Sequence, residues 1–212
     1  MTDELIARLS ANLNRVPPQA LQNRLWIAVG LGLSAALLLA YPVLHLLLDR
    51  PMGATWGGMM FWVKAGYTIA FGLLGCAALP VLARPDGRIL WPMASAAILL
   101  LASLTLGTMS WMTTDWSMSE LMGATSMVCP WLIVLTSTPI LAAMLVALRA
   151  MAPRSSTMAG FAAGLLAGGF GAAIYSFYCG ETGMMFMAVW YSLGVAATAA
   201  LGALLGRLLL RW

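Results

Sequence analysis

Charge is what this chain has least of. Asp, Glu, Lys and Arg make up 8% of its 212 residues, against roughly 25% in an average soluble domain. That density cannot clothe a water-facing surface, so a soluble globular fold is excluded. The few acidic residues avoid the middle of the long apolar runs. An ion- or proton-driven transporter needs ionisable groups there, so active transport is disfavoured. Catalytic signatures are missing as well. There is no His-Glu-x-x-His, Gly-x-Ser-x-Gly, phosphate-cradling glycine loop or pair of catalytic carboxylates, so no enzyme is expected and no cofactor is implied. Internal repeats and low-complexity tracts are also lacking.

What remains is apolar: 62% of residues are hydrophobic and the mean hydropathy is +0.90. Six runs stand out, at Leu25–Leu48, Gly58–Leu82, Ile89–Trp111, Thr125–Leu148, Met158–Tyr178 and Met184–Leu210. Each approaches or exceeds the length of about 20 residues that a membrane helix requires. The expected fold is therefore all-α, a polytopic six-helix transmembrane bundle over residues 25–212 with the lipid bilayer as its surroundings. A polar segment, residues 1–24, precedes it. The first run is too long for a signal-peptide core, and Asp3 and Glu4 stand in its lead-in, so it is expected to stay as a membrane helix.

The formal net charge of +4 suggests topology rather than direct nucleic-acid binding. Arg8, Arg15, Arg24, Arg84, Arg88, Arg149, Arg154, Arg207 and Arg211 all fall on one side of the six runs, while Arg50 and Lys64 fall on the other. The bias of basic residues toward the cytoplasm predicts that both termini lie there. Small residues recur every fourth position at Gly160, Gly164 and Gly168 in span five and at Gly194, Thr198, Gly202 and Gly206 in span six. Such stripes allow close helix contact in lipid. They predict packing of spans five and six on each other, with a homo-oligomer as the competing use.

The three cysteines separate by depth. Cys76 lies about 27 Å along span two from its outer entry, near the cytoplasmic face, where a small buried hydrophobe is the expected role. Cys129 and Cys179 each stand about 20 residues, roughly 30 Å, from the inner connection between spans four and five. Both thiols therefore return to the same outer level. A disulfide is reasonable there if the Cα atoms come within about 7 Å, and so are two unrelated thiols. Methionines including Met52, Met118, Met127 and Met184 also gather on that side, and His45 ends span one. Sulfur and imidazole are soft-metal ligands, so Cys129, Cys179 and His45 are weak metal candidates. Methionine is also an ordinary packing filler. Lys64 is a charge inside a span, about 9 Å below the outer entry. It is placed to snorkel or to pair with Asp115, Glu120 or Glu181, with a structural or coupling role.

Residues 2–14 read TDELIARLSANLN. Thr2 can cap a helix, and Leu5, Ile6, Leu9 and Leu13 then share one face until Pro17 and Pro18 stop it. So short a helix is marginal in water. Its apolar face needs the lipid surface, the inner end of the bundle or another protein's groove.

The acidic-amphipathic start, Val16-Pro17-Pro18, Phe61-Trp62-Val63-Lys64, Cys129-Pro130, Cys179, Trp190-Tyr191 and the Leu-Leu-Arg-Trp ending together resemble the NrsF-like negative regulators of sigma factors along the whole chain. The resemblance implies an anti-sigma factor of the bacterial inner membrane that holds an extracytoplasmic-function sigma factor and releases it on an envelope signal. It implies Cys129 and Cys179 as the signal-sensing positions and assigns nothing to Cys76. With the residue-level reading, it points to Leu5, Ile6, Leu9 and Leu13 as the sigma-factor docking face and to an oxidant or thiophilic metal as the stimulus. The competing expectation is a membrane protein that binds or transports a soft metal of the copper, mercury or cadmium type.

Overall fold

The computed structural model describes residues 20–53, 56–82, 90–151, 153 and 155–210. The proposed docking residues Leu5, Ile6, Leu9 and Leu13 lie outside these. Among the described residues the fold is entirely helical, and six helices are long and apolar enough to cross a membrane.

Span one is the α-helix Ala20–Ala40 continued by a π-helical segment, Tyr41–Leu47. Pro42 sits at the start of that segment, and its missing N–H and bulky ring favour a local rewinding of this kind. Span two is Met59–Leu82 and span three Leu90–Thr113. A short surface helix, Met118–Met122, follows. Span four, Cys129–Arg149, begins four residues later than hydropathy suggested. Turns occupy residues 123–128, and Pro130 sits in the first helical turn, where its lack of an N–H costs nothing. Span five, Ser156–Ser176, begins earlier than expected because Ser155 caps the Met158 N–H. Span six runs from Met184 through a second π-helical segment, Met187–Tyr191, to Leu209.

Span five is the axis. It packs on spans two, four and six, and span one lies along span four. In its most apolar stretch 72% of residues are buried, compared with 11% for span three, which rides on the edge of the bundle. The glycines make that density achievable. A Cβ at Gly160 would come 2.2 Å from the Gly202 carbonyl oxygen, and one at Gly169 would come 2.2 Å from the Gly72 nitrogen. The stripe of span five thus packs on span six inside one chain, as expected. Gly194 departs from the pattern and meets Ile133 of span four.

With six crossings, the described starts and ends of the chain share one end of the bundle. The other, distal end carries the connections 48–58, 114–128 and 177–183. Exposed tryptophans mark both ends: Trp26 and Trp91 at the first, Trp56, Trp62, Trp116 and Trp131 at the second. Indole rings favour the level of lipid headgroups, so the bundle has the girdles of a membrane-spanning body.

Gly169→Ala is expected to cost about 1–3 kcal/mol, because spans two and five must part to admit the methyl group. Gly30→Ala, where nothing lies within 4 Å of the new atom, should be neutral or slightly stabilising. Thermal unfolding of the two variants in detergent measures the contrast.

Candidate functional site

The sequence features that end up together are at the distal end. Cys129 is the first residue of span four, and Cys179 lies three residues beyond span five. Both are buried and both are thiols. They stand within electrostatic range of one another in one buried site. The helix connection between them is short and their arms are equal in length, so the return to one level follows from helical rise.

Two tyrosines form the walls. Tyr175, on the last turn of span five, sets its hydroxyl beside the Cys129 thiol. Tyr191 ends the π-helical segment of span six. The extra residue in such a turn rotates the following side chains, and π-turns of this kind gather at functional sites. The Tyr191 ring lies 5.9 Å from that of Tyr175. Among the described residues its buried hydroxyl makes no hydrogen bond of ordinary geometry, and it keeps company with the Cys179 thiol.

Two cations approach the same pocket. Lys64 is fully buried. Its Nζ donates to the Cys179 carbonyl at 3.2 Å and to the Glu181 carbonyl, and stands 5.8 Å from the centroid of the Tyr191 ring. It also lies within electrostatic reach of both thiols. Of the roles expected from sequence, snorkelling to the surface is excluded by this burial. The pairing is with main-chain oxygens, including that of Glu181. The Glu181 carboxylate instead accepts from the Ala124 N–H at 2.9 Å and the Thr125 hydroxyl at 3.1 Å, which fastens the turn before Cys129 to the segment after it. Glu120 accepts from the hydroxyls of Ser110 and Thr114.

The second cation is Arg50, just past span one. Its Nη1 donates to the Tyr175 hydroxyl oxygen at 3.2 Å, and it acts electrostatically on Cys129. His45 is 3.2 Å from the Arg50 carbonyl oxygen and lies against the Tyr41 ring. Among the described residues no three His, Cys, Asp or Glu side chains form a metal-binding group. Cys76 is at the opposite end and half-buried, lining an apolar crevice with Trp26, Val29, Pro80 and Met144.

Chemically, the site brings a cysteine at the N-terminus of span four and one just past the C-terminus of span five together with two cations. Sequence reasoning found the thiols and Lys64. It does not single out Tyr175; Arg50 enters it only as an outer-side charge and Tyr191 only within the Trp190-Tyr191 likeness.

A family model described as negative regulator of sigma F, NrsF, matches residues 9–212. One similar curated protein is the "Anti-sigma-F factor NrsF" of Caulobacter vibrioides (strain NA1000 / CB15N), 40% identical over 215 residues and covering 100% of this chain and 99% of its own. Another is the "Probable anti-sigma-F factor NrsF" of Azospira oryzae (strain ATCC BAA-33 / DSM 13638 / PS), 34% identical over 213 residues, with coverage of 100% and 99%. No solved structure matches.

Lys64→Met keeps most of the side-chain volume and removes the donor to two carbonyl oxygens. It is expected to cost about 1–3 kcal/mol, the penalty for buried polar groups left unpaired. A thermal unfolding midpoint in detergent equal to that of the wild type would contradict the tether.

Proposed function

The chain belongs to the NrsF family of negative regulators of sigma F, and on that premise we propose that it is an anti-sigma factor embedded in the bacterial inner membrane. Residues 1–24 hold an extracytoplasmic-function sigma factor at the cytoplasmic face. The pair Cys129 and Cys179, on the periplasmic side, triggers its release. The observation that carries the reading is that these two buried cysteines stand within electrostatic range of one another at the end of the bundle opposite Ala20 and Leu210.

The orientation rests on the arginine bias, which puts both termini inside and the thiols outside. The periplasm is oxidising, so a thiol pair there meets oxidants directly. In the oxidative branch, the two thiols give up two protons and two electrons to a two-electron oxidant, and one S–S bond forms. In the metal branch, a thiophilic divalent cation displaces two protons and bridges two thiolates. Either product draws the start of span four toward the segment after span five.

On the inner side, the apolar face of Leu5, Ile6, Leu9 and Leu13 is laid into a groove of the sigma factor, in the manner of an amphipathic helix. Ordering that segment needs a partner surface, which makes its grip sensitive to small changes at its anchor. A tenfold loss of affinity corresponds to about 1.4 kcal/mol. A thiol-dependent bias of a few kcal/mol between two bundle arrangements is therefore enough to switch occupancy.

Two genetic tests address the two halves. Deleting residues 2–16 should turn on sigma-dependent transcription without a stimulus; continued repression would remove the docking role. The double variant Cys129→Ser with Cys179→Ser should keep repression and lose induction by oxidant and by metal. An intact response in that variant would remove the sensor role.

A further inference from the structure

We propose that Tyr175 and Arg50 are positioning residues that carry the state of the thiol pair to span one, and through it to the docking segment. The proposal rests on the sensor reading above and names its route.

The direction of the hydrogen bonds supports it. A guanidinium only donates, so the Arg50 Nη1–H donates a hydrogen bond to the Tyr175 oxygen, at 3.2 Å. That oxygen has then used its accepting side on Arg50, and its own proton is left for the Cys129 sulfur within reach. The order runs from guanidinium to phenol to sulfur. The sulfur end is the part that changes. A metal-bound thiolate accepts more strongly than a thiol, as charged acceptors do. A disulfide sulfur accepts weakly and is drawn toward Cys179. The metal therefore draws the Tyr175 hydroxyl closer to Cys129, whereas the disulfide obliges it to re-pair, and in either branch Arg50 must follow or lose its partner.

Arg50 is fastened to the end of span one. Its N–H donates to the Leu44 carbonyl at 3.0 Å, and its own carbonyl meets the His45 ring at 3.2 Å. Asp49 just before it is left-handed, with φ of 49°, a conformation uncommon outside glycine. Beneath it lies the π-helical segment Tyr41–Leu47, a winding that recurs at functional sites. From there an unbroken helix descends over Ala20–Ala40, about 30 Å by helical rise, to the end where residues 1–19 begin. Lys64 makes an instructive contrast. It holds main-chain carbonyls, whose character does not change when sulfur reacts, so it anchors the pocket without reporting on it.

The test uses the full-length protein in cells with a sigma-dependent reporter, read together with differential alkylation of Cys129 and Cys179. Tyr175→Phe removes one oxygen and keeps the ring. Unstimulated repression should stay within about twofold of wild type. Both thiols should still react to oxidant. Induction should fall roughly tenfold or more, the fold-change expected for one lost charge-assisted hydrogen bond. Arg50→Gln should behave alike, and Arg50→Lys should restore part of the response. A merely structural role would instead raise the unstimulated signal or abolish the thiol reaction.

Normal induction in Tyr175→Phe and Arg50→Gln would overturn the route while leaving the thiol sensor standing. Loss of thiol reactivity in either would also overturn it, because the residues would then be shaping the sulfurs. Should Tyr175→Phe fail to reach the membrane, the two Arg50 variants decide on the same readouts. An unaltered response in Cys129→Ser would instead strike at the sensor reading itself.

Discussion

A buried ammonium must find oxygen, and in this molecule Lys64 finds it on the carbonyls of Cys179 and Glu181. That requirement fixes the rest of the distal end. It ties span two to the segment after span five, which holds Cys179 at the depth where span four begins with Cys129. The Glu181 carboxylate, left over by this arrangement, closes the turn at Ala124 and Thr125 on the other side. In so apolar a chain each such polar contact is expensive to break, since lipid offers no substitute partner.

Beneath the pocket the bundle is built for close contact. Span five approaches spans two and six at glycine, so its backbone rests against theirs with almost no side chain between. Packing this tight behaves as discrete arrangements rather than as a continuum. Span one is held differently. It lies on span four, ends in a π-helical segment and is joined to the pocket through Arg50. The molecule thus combines a rigid axis with a helix whose outer attachment runs through side chains.

The six spans were legible because an apolar run of membrane length has few other outcomes, and the matching depth of the two cysteines was simple helical arithmetic. Their burial in one pocket follows from that arithmetic together with the packing of span five on span four. The start of span four was misplaced by four residues, because hydropathy does not distinguish the turns at 123–128 from helix, whereas Cys129-Pro130 carried a usable start signal. Lys64 was found, and Glu181 was among its expected partners, but through the carboxylate rather than the carbonyl that accepts. Sequence suggests carboxylates for an ammonium and is silent about which carbonyls a fold will present. The contact of Arg50 with Tyr175 was invisible for a similar reason: 125 positions separate them, and neither belongs to a motif. The two π-helical segments were hidden as well, although Pro42 marks one of them.

The central claim is that Cys129 and Cys179 act as one unit whose state decides whether the sigma factor is held. The most direct measurement is quantitative mass spectrometry of both thiols in intact cells, followed through a stimulus alongside the sigma factor that co-purifies with the membrane. The account predicts that the two cysteines change state together and in step with the loss of bound sigma factor. Release that proceeds while both remain unmodified thiols would contradict it.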